Sequence, residues 1–384
     1  MRLCLITLDI APDRSSGLAI YAERLALNLA AGGHDVTLIA GQRSALPRSN
    51  WLGTVRVVWV PLGKSDWIGY GWSAAHLVSR LAAHQPFDIV HFLDLHFAWA
   101  YRGPFVASLQ QSFRQRLTAD NGQPYAASQQ QRLFRQLYYR SARRWLELPT
   151  LRRASALVAV SGATRDEFVT HYGLSPERVT VVYEHVDLTH FAPRPTADLR
   201  QRLGLDGYRL LLFIGFAAPR KGLEFLAAGL SALPADVRLL LIGRWEAGYR
   251  LKVQQAAGVA WERVIELGTI SDDALPDYLS LADLVVLPSL LEGFGLPALE
   301  ALACGTPLVV SAAGSLPEVM GACGSLVPPR NTVALVTAIT DLLNDAPRRQ
   351  YLAQQARLRA CTVFDPQQVY AELLRVYRTV APNA

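Results

Sequence analysis

Residues 284–300 read LVVLPSLLEGFGLPALE, and this stretch predicts a strand, a tight turn and a helix in succession. Its first four residues are apolar and form a candidate buried strand. Gly293 and Gly295 permit a tight turn and a close approach of the backbone to a ligand. Pro297 suits the first turn of a helix, where its missing N–H costs nothing. A strand that leads into a helix in this way is a building block of parallel α/β sheets.

The turn and the start of the helix form a candidate anion site. The N–H groups from about Phe294 to Leu296 lie where a helix leaves its amides unpaired, and the helix dipole favours negative charge there. Glu292 precedes the turn and Glu300 lies about one helical turn inside the helix. A phosphate would therefore meet amides in the middle, with carboxylates that accept hydroxyl groups on either side. This pattern predicts a nucleotide-sugar site in which Phe294, Gly295 and Leu296 contact the substrate.

The same stretch resembles the signature of the retaining glycosyltransferases of family 4 (glycosyl transferases group 1), in which seven residues around a Gly-Phe-Gly core separate two glutamates. Further blocks resemble the family in the same order along the chain. These blocks are residues 17–36, 215–222 (GFAAPRKG), 303–310 (ACGTPLVV) and 314–318 (GSLPE). Because several ordered blocks match, the resemblance is much more specific than a pair of glutamates alone.

The resemblance implies an α/β protein of the GT-B fold, with two Rossmann-like domains that face each other across a cleft. The sequence pattern restarts at Leu210 after a charged, proline-containing stretch. We therefore expect an N-terminal, acceptor-side domain over residues 1–188 and a C-terminal domain that binds the nucleotide-sugar donor over residues 206–364. In the family the terminal helix, here residues 365–380, crosses back to the first domain.

Apolar runs that alternate with helical patterns support parallel sheets covered by helices. In the first half of the chain these runs predict strands at residues 3–8, 36–40, 55–60, 89–92, 106–109, 157–160 and 179–182. In the second half they predict strands at residues 210–214, 239–242, 264–267, 284–287 and 308–310.

The resemblance also implies roles for individual residues. Lys221, in the loop after a strand, would contact the donor phosphates, and Arg220 beside it would supply the arginine that the family usually has where Phe216 stands here. Glu292 would contact the transferred sugar at the reacting centre, and Glu300 would accept the ribose hydroxyl groups. The alternatives are a solvated surface cation for Lys221 and Arg220, and a carboxylate that only stabilises the helix start for Glu292.

Two positions in the first half are further candidates for substrate binding. Gly17 ends the first loop, which in the family reaches over the donor phosphates; the alternative is an ordinary turn glycine. Gln110 stands where many relatives have a histidine, and an amide can orient a sugar but cannot carry a proton charge. Residues 184–187 also depart from the family, which usually has Asn-Gly-Val-Asp there. We expect structural roles for the remaining histidines of this region, His91, His96 and His185.

Together these features predict retaining transfer of a hexosyl unit from a nucleoside diphosphate sugar, UDP- or GDP-linked, to a glycan, a lipid-linked acceptor or a small molecule. No Asp-x-Asp motif indicates a metal, and no cofactor is expected, so the protein's own cations would stabilise the departing diphosphate. The alternatives are a GT-B-fold epimerase or phosphorylase that acts on related sugars, although nothing signals the pyridoxal phosphate lysine that a phosphorylase needs, and a catalytically idle subunit that binds sugar nucleotides. No G-x-G-x-x-G motif points to a dinucleotide oxidoreductase.

Composition agrees with a two-domain α/β protein, since the chain has 384 residues, of which 51% are hydrophobic and 18% charged. Its apolar runs are too short to span a bilayer. The cysteines are far apart and suggest free thiols in a reducing compartment; they are Cys4, Cys304, Cys323 and Cys361. We therefore expect a cytoplasmic protein, with a position at the inner face of the membrane as an open alternative.

Residues 110–145 concentrate positive charge, because they hold seven arginines and one aspartate, a balance of +6 that equals the formal charge of the whole chain. From Arg132 onward a helical face collects Leu133, Phe134, Leu137, Tyr138 and Trp145, with Arg132, Arg135, Arg140 and Arg143 around it. Such a helix is typical of association with an anionic membrane. The alternative is a helix that packs its apolar face on its own sheet. No nucleic-acid module is present, so nucleic acid is not an expected partner.

Overall fold

The computed structural model describes residues 1–11, 17–42, 49–62, 67–120, 122–125 and 129–381. Its contacts divide the chain into two compact units. The N-terminal unit consists of Met1–Glu184 together with Val369–Ala384, and the C-terminal unit consists of His185–Gln368. Each unit has its own sheet and its own core.

The N-terminal unit contains an eight-stranded sheet in the order β3-β4-β2-β1-β5-β6-β7-β8. All neighbouring strands are parallel except β3, which pairs antiparallel with β4. The strands are β1 (Arg2–Thr7), β2 (Asp35–Gln42), β3 (Trp51–Leu52), β4 (Val55–Pro61), β5 (Ile89–Phe92), β6 (Val106–Leu109), β7 (Ala156–Ala159) and β8 (Val179–Val181). The inner strands are buried along most of their length, and this explains why their sequences are continuous apolar runs.

Helices accompany the sheet of the N-terminal unit. They are α1 (Gly17–Ala31), α2 (Trp67–His84), α3 (Phe113–Thr118), α4 (Gln129–Ala142), α5 (Leu148–Arg153) and α6 (Gly162–Tyr172). A π-helical segment, Arg143–Glu147, joins α4 to α5, so that one helical run extends from Gln129 to Arg153. A short 3-10 turn, Leu95–Ala98, follows β5.

The C-terminal unit contains a six-stranded parallel sheet in the order β11-β10-β9-β12-β13-β14. Its strands are β9 (Arg209–Ile214), β10 (Val237–Ile242), β11 (Val264–Gly268), β12 (Leu284–Leu287), β13 (Leu308–Ser311) and β14 (Gly324–Val327). Its helices are α7 (Ala197–Arg202), α8 (Leu223–Gly229), α9 (Tyr249–Ala257), α10 (Leu275–Leu281), α11 (Leu296–Ala303), α12 (Leu316–Met320), α13 (Thr332–Asn344) and α14 (Ala346–Val363).

The last helix, α15 (Pro366–Val380), packs on the N-terminal unit, which includes the chain from Val369 onward. Its buried residues are Val369, Leu373, Val376 and Tyr377. The Tyr377 hydroxyl lies 2.7 Å from Nδ1 of His91 in β5. Leu374, which the helical spacing places on this face, is only half-buried.

Every strand predicted from the apolar runs is present, with bounds that differ by at most a few residues. Two strands were not predicted. β3 has only two residues, too short for a period to be visible in the sequence. β14 begins at Gly324, where a Cβ would lie 2.0 Å from the carbonyl oxygen of Leu308, so close strand packing excludes the side chain that would have marked a strand.

The strand order reverses once in each sheet. In the C-terminal unit the reversal lies between β9 and β12, and in the N-terminal unit it lies between β1 and β5. Ligands of parallel α/β sheets bind outside the carboxyl ends of the strands at such a switch point. A ligand site in the C-terminal unit is therefore expected at the loops that follow β9 and β12.

Candidate active site

The loop after β9 carries Lys221 to the switch point of the C-terminal unit. Gly215 ends the strand with a φ of +137°, and Pro219–Lys221 form a 3-10 turn. Gly222 follows with a φ of +64°, and a Cβ there would lie 2.1 Å from the carbonyl oxygen of Pro288, just beyond β12. Only glycine allows the two loops to approach so closely. The close approach fixes Lys221 beside the loop that contains Glu292.

Lys221 and Glu292 form a buried ion pair. The Lys221 Nζ lies 2.5 Å from Oε2 of Glu292, and the two side chains are only 9% and 12% exposed. The Ser289 hydroxyl donates to the same carboxylate oxygen at 3.3 Å. Two of the three residues predicted to be catalytic, Lys221 and Glu292, therefore meet at the carboxyl ends of β9 and β12; the third is Arg220.

The two charges of the pair perturb each other. Burial, the largest influence, raises the pKa of Glu292, but the positive charges of Lys221 and Arg220 and the hydrogen bonds outweigh it, so the pKa is lowered. Burial lowers the pKa of Lys221 by more than the carboxylate raises it. Glu292 is thus an ionised acceptor near neutral pH, not a proton donor.

Arg220 lies beside the pair. Its backbone carbonyl accepts hydrogen bonds from the N–H groups of Leu290 and Leu291, at 2.7 and 3.3 Å, and so ties the Lys221 loop to the Glu292 loop. Its side chain is half-buried, and its charge lowers the pKa values of both Lys221 and Glu292. Its positive charge therefore acts on both members of the ion pair.

Helix α11 begins at the turn that the sequence predicted. Gly295 is its N-cap with a φ of +96°, and Pro297 lies in the first turn. The Gly295 carbonyl accepts from the N–H groups of Ala298 and Leu299. Within the described part of the chain, the N–H groups of Gly295 and Leu296 have no acceptor. These two donors remain available to an anion.

The backbone around Glu292 is held from two further sides. A Cβ on Gly314 would lie 2.0 Å from the carbonyl oxygen of Glu292, and Gly314 has a φ of +55°. The hydroxyl of Ser315, the next residue, donates to the Phe294 carbonyl at 2.5 Å. In the sequence this segment is marked only as a family block, whereas in the structure it packs against the Glu292 turn.

Glu300 lies inside α11 and is 4% exposed. Its backbone carbonyl accepts from the N–H of Cys304. Burial, together with the nearby Glu300 carboxylate, raises the pKa of the Cys304 thiol to about 12. Cys304 is therefore an inert, protonated thiol at neutral pH, and Glu300 is a buried carboxylate close to the switch point.

Family comparisons agree with this geometry. The family model for glycosyl transferases group 1 matches residues 196–359, and the model for glycosyltransferase family 4 matches residues 15–190. The chain belongs to the family of glycosyl transferases group 1. Both halves of the chain are therefore accounted for by one family.

Individual relatives and solved structures support the same assignment. Over 247 residues, the chain is 35% identical to MMP alpha-(1->4)-mannosyltransferase of Mycolicibacterium hassiacum; the match covers 61% of this chain but only 58% of that relative. Sucrose-phosphate synthase from Thermosynechococcus elongatus has a TM-score of 0.81 at 23% identity, with all of both chains covered. Anabaena HepE, solved in complex with UDP and glucose, has a TM-score of 0.72 at 21% identity, with 99% and 100% covered. The two structures show that this group 1 glycosyltransferase has the expected GT-B fold.

A cavity of about 320 Å³ opens beside the Lys221 loop of this glycosyltransferase. It lies at the carboxyl ends of β9, β10 and β11, and Gly215 and Trp245 are among its lining residues. The Trp245 indole N–H donates to Oε1 of Glu266 at 3.0 Å, and Glu266 forms an ion pair of 2.6 Å with Arg250. The sequence did not mark these three lining residues, because an aromatic and an ion pair in separate loops carry no motif.

The two predicted substrate residues of the N-terminal half lie in the other unit. Gly17 is the first residue of α1 and is exposed, while residues 13–16 of its loop lie outside the described residues. Gln110 follows β6, is half-buried and donates from Nε2 to the Leu93 carbonyl at 3.4 Å. Gln110 therefore lies at the carboxyl end of a strand, and Gly17 lies at the start of the helix that follows β1. Ligands of parallel sheets bind at this edge of the sheet.

A second buried charge cluster lies after β5 in the N-terminal unit. The His96 Nδ1 is 2.7 Å from Oδ1 of Asp94, and its Nε2 is 3.0 Å from Oε1 of Glu147. Glu147 also accepts from the Phe113 N–H at 2.9 Å and from the Tyr172 hydroxyl. Burial alone would lower the pKa of His96, but the two carboxylates raise it to about 9. The imidazole is thus a buried cation at neutral pH.

Among the described residues, no group of three or more histidine, cysteine, aspartate or glutamate side chains is arranged to hold a metal ion. Over the same residues, no helix is both long enough and apolar enough to cross a membrane.

Proposed function

We propose that this protein transfers a hexosyl unit from a nucleoside diphosphate sugar to a glycan, a lipid-linked acceptor or a small molecule, with retention of the anomeric configuration. The observation that carries the proposal is the Lys221–Glu292 ion pair at the switch point of the C-terminal unit. It lies beside a helix start at which the N–H groups of Gly295 and Leu296 have no acceptor among the described residues. Cations and amides for a diphosphate are thus combined with a carboxylate for a sugar.

Lys221 acts on the leaving diphosphate. An ammonium group has three donors, and within the described residues one of them contacts Glu292. A diphosphate at the start of α11 takes up the remaining donors, and Arg220 adds a second positive charge. Because negative charge grows on the phosphate oxygens as the sugar departs, these donors stabilise the transition state more than the ground state.

Glu292 acts on the sugar. Its lowered pKa keeps it ionised, so that it accepts hydrogen bonds from sugar hydroxyls and stabilises positive charge that develops at the anomeric carbon. When the diphosphate draws Lys221 away, the carboxylate becomes available to the sugar. The ion pair therefore keeps both groups charged and in place until the donor binds.

The chemical step needs no side chain of the protein as a general base. The bond between the anomeric carbon and the diphosphate oxygen breaks, and a bond to the acceptor oxygen forms on the same face of the sugar. The acceptor hydroxyl gives its proton to the departing phosphate oxygen. Lys221 and Arg220 take the charge-stabilising role for which other enzymes use a divalent metal, and this supports a reaction independent of metal.

The nucleoside occupies the 320 Å³ cavity beside the Lys221 loop. Trp245 offers an aromatic surface to a base, and the buried Glu300 offers a carboxylate to the ribose hydroxyls. We favour a UDP- or GDP-sugar as the donor; HepE, which shares the fold, is described in complex with UDP and glucose. In the N-terminal unit, Gly17 and Gln110 remain the predicted substrate-binding residues.

The proposal is tested first with donors alone. We expect one of a panel of UDP-, GDP- and ADP-sugars to raise the melting temperature, and slow hydrolysis of that donor to release the sugar with its original anomeric configuration in ¹H NMR. Chelator should leave the rate unchanged. Release of the opposite anomer would exclude retention, a changed sugar would indicate an epimerase, and stabilisation without turnover, even with candidate acceptors, would indicate an idle binding subunit.

A further inference from the structure

Helix α4 exposes apolar side chains on its outer face. Leu133, Phe134 and Leu137 are 59%, 66% and 59% exposed, and Trp145 in the following π-helical segment is 70% exposed. Their spacing places them along one side of the helical run. We call these four residues the apolar stripe. The alternative in which this face packs on its own sheet is therefore wrong for these four residues. Tyr138, which the sequence placed on the same face, is half-buried and contacts Phe113.

The inner side of the same run is anchored by polar and aromatic contacts. The Tyr139 ring stacks on Phe113 at 5.8 Å, and Tyr138 contacts the same ring edge-on at 6.4 Å. At the end of the π-helical segment, the buried Glu147 accepts from His96 and from the Phe113 N–H. These contacts fix the rotation of the helix, so the apolar stripe faces outward by construction.

Positive charge borders the apolar stripe. Arg140 and Arg144 are exposed, and the Arg144 guanidinium lies over the Trp145 ring at 5.4 Å. Arg132 and Arg135 are held inward, by Asp120 and Gln123 and by the Tyr125 carbonyl respectively. The outer face thus combines aromatic and aliphatic side chains with positive charge that has no acidic partner among the described residues.

We propose that the apolar stripe, with Arg140 and Arg144, docks on the surface of an anionic lipid membrane. A single convex helix can insert four apolar side chains to the depth of the lipid headgroups, where tryptophan is favoured. Long arginine side chains reach from the flanks of such a helix to lipid phosphates. A protein partner would not require the cations, and nucleic acid would not require the apolar side chains. This inference is independent of the proposed sugar transfer.

Vesicle co-sedimentation tests the proposal with the full chain. We expect the wild-type protein to pellet at low salt with vesicles of phosphatidylcholine and phosphatidylglycerol, and not with phosphatidylcholine alone. Arg140→Gln and Arg144→Gln should each weaken binding to the vesicles about fivefold, since a basic residue near an anionic surface contributes roughly 1 kcal/mol. The variant pair Phe134→Ser and Leu137→Ser should abolish pelleting, because it removes the inserted side chains. Salt should weaken wild-type binding.

Matched controls use exposed residues of the C-terminal unit. One control pair, Leu251→Ser with Leu358→Ser, removes two exposed apolar side chains, and the other, Arg202→Gln with Arg348→Gln, removes two exposed positive charges. These pairs should pellet like the wild type, and circular dichroism should show that every variant is folded. A wild-type protein that stays in solution at low salt would overturn the proposal. So would equal loss in the controls, or sedimentation velocity that shows a dimer broken by Phe134→Ser with Leu137→Ser.

Discussion

The two buried charge clusters, His96 in the N-terminal unit and Lys221 in the C-terminal unit, are built from similar parts. Each places a cation against a carboxylate just beyond the carboxyl end of a strand next to the switch point of its sheet. Each contains groups with perturbed pKa values. By burial and titration alone, both would be candidate functional sites.

They differ in how completely their hydrogen bonds are used. Both ring nitrogens of His96 are paired, Glu147 accepts from three donors, and the Phe113 ring lies 4.1 Å from the imidazole. Lys221, in contrast, contacts one carboxylate and lies near a helix start with two unpaired N–H groups, counting only the described residues. A closed cluster stabilises the fold, whereas an unfilled one can bind a ligand. Spare hydrogen-bonding capacity therefore distinguishes the two better than a shifted pKa.

The largest effect should come from Lys221→Ala. Removal of a donor that stabilises charge in the transition state typically lowers the rate by about 100- to 1,000-fold. We expect this loss in kcat for donor hydrolysis or transfer, measured at saturating donor, with the folded protein recovered in normal yield. Lys252→Ala is the matched control, because Lys252 is an exposed lysine of the same unit that pairs with Glu224. Near wild-type kcat in Lys221→Ala would show that the ion pair is as structural as the His96 cluster.

The His96 cluster should instead affect stability. A histidine whose pKa is raised from 6.5 to about 9 on folding stabilises the protein fully below pH 6.5, and this contribution is lost as the pH rises through about 9. The shift corresponds to about 3 kcal/mol. Urea titrations from pH 6 to pH 10 should show this loss in the wild type.

The variant His96→Gln isolates that titration. It should be less stable than the wild type at pH 6, but its free energy of unfolding should fall by about 3 kcal/mol less over the same pH range. His84→Gln, which replaces an exposed histidine, should follow the wild type. Parallel curves for wild type and His96→Gln would mean that His96 is not the buried cation that the geometry indicates.

The sheets and the Lys221–Glu292 loops could be predicted because their signals are local. Buried parallel strands are continuous apolar runs. A Gly-Phe-Gly turn shortly before Pro297 indicates the start of a helix. The sequence also contains the glycines that let the loops meet, such as Gly222 against Pro288, although it does not reveal the contact itself.

The rest depends on contacts between distant segments. His96 and Glu147 are separated by 51 positions, and no spacing rule connects them. The rotation of α4 about its axis depends on the contact with Phe113 in another helix. The helical periodicity therefore predicts which apolar residues share a face, but not whether that face points to solvent or to the core. The 320 Å³ cavity is likewise lined from several strand ends, which a single sequence does not bring together.

Glu300→Gln should weaken donor binding by a smaller amount. An amide accepts hydrogen bonds from ribose hydroxyls less strongly than a carboxylate, and loss of a charged hydrogen bond is typically about 1.5 to 3 kcal/mol. Calorimetric titration with the donor found in the thermal-shift panel should show a binding free energy that is less favourable by that amount. The kcat should be less affected. The variant Glu318→Gln, in the next helix of the same unit, is a control that removes one negative charge in the same way. Unchanged donor affinity in Glu300→Gln would remove the ribose assignment.

Arg220→Gln should have the smallest effect of the series, because Arg220 is half-buried and its charge is partly screened by water. The Lys221–Glu292 pair remains intact in this variant, so the site keeps its buried cation and loses only the flanking charge. We expect donor affinity to fall by about 1 kcal/mol at low salt, and the difference from wild type to shrink as salt rises. Arg202→Gln, at an exposed position of the same unit, should bind donor normally. If Arg220→Gln instead lost as much activity as Lys221→Ala, the diphosphate would be held mainly by the guanidinium, and the buried ion pair would belong with His96 among the elements that only stabilise the fold.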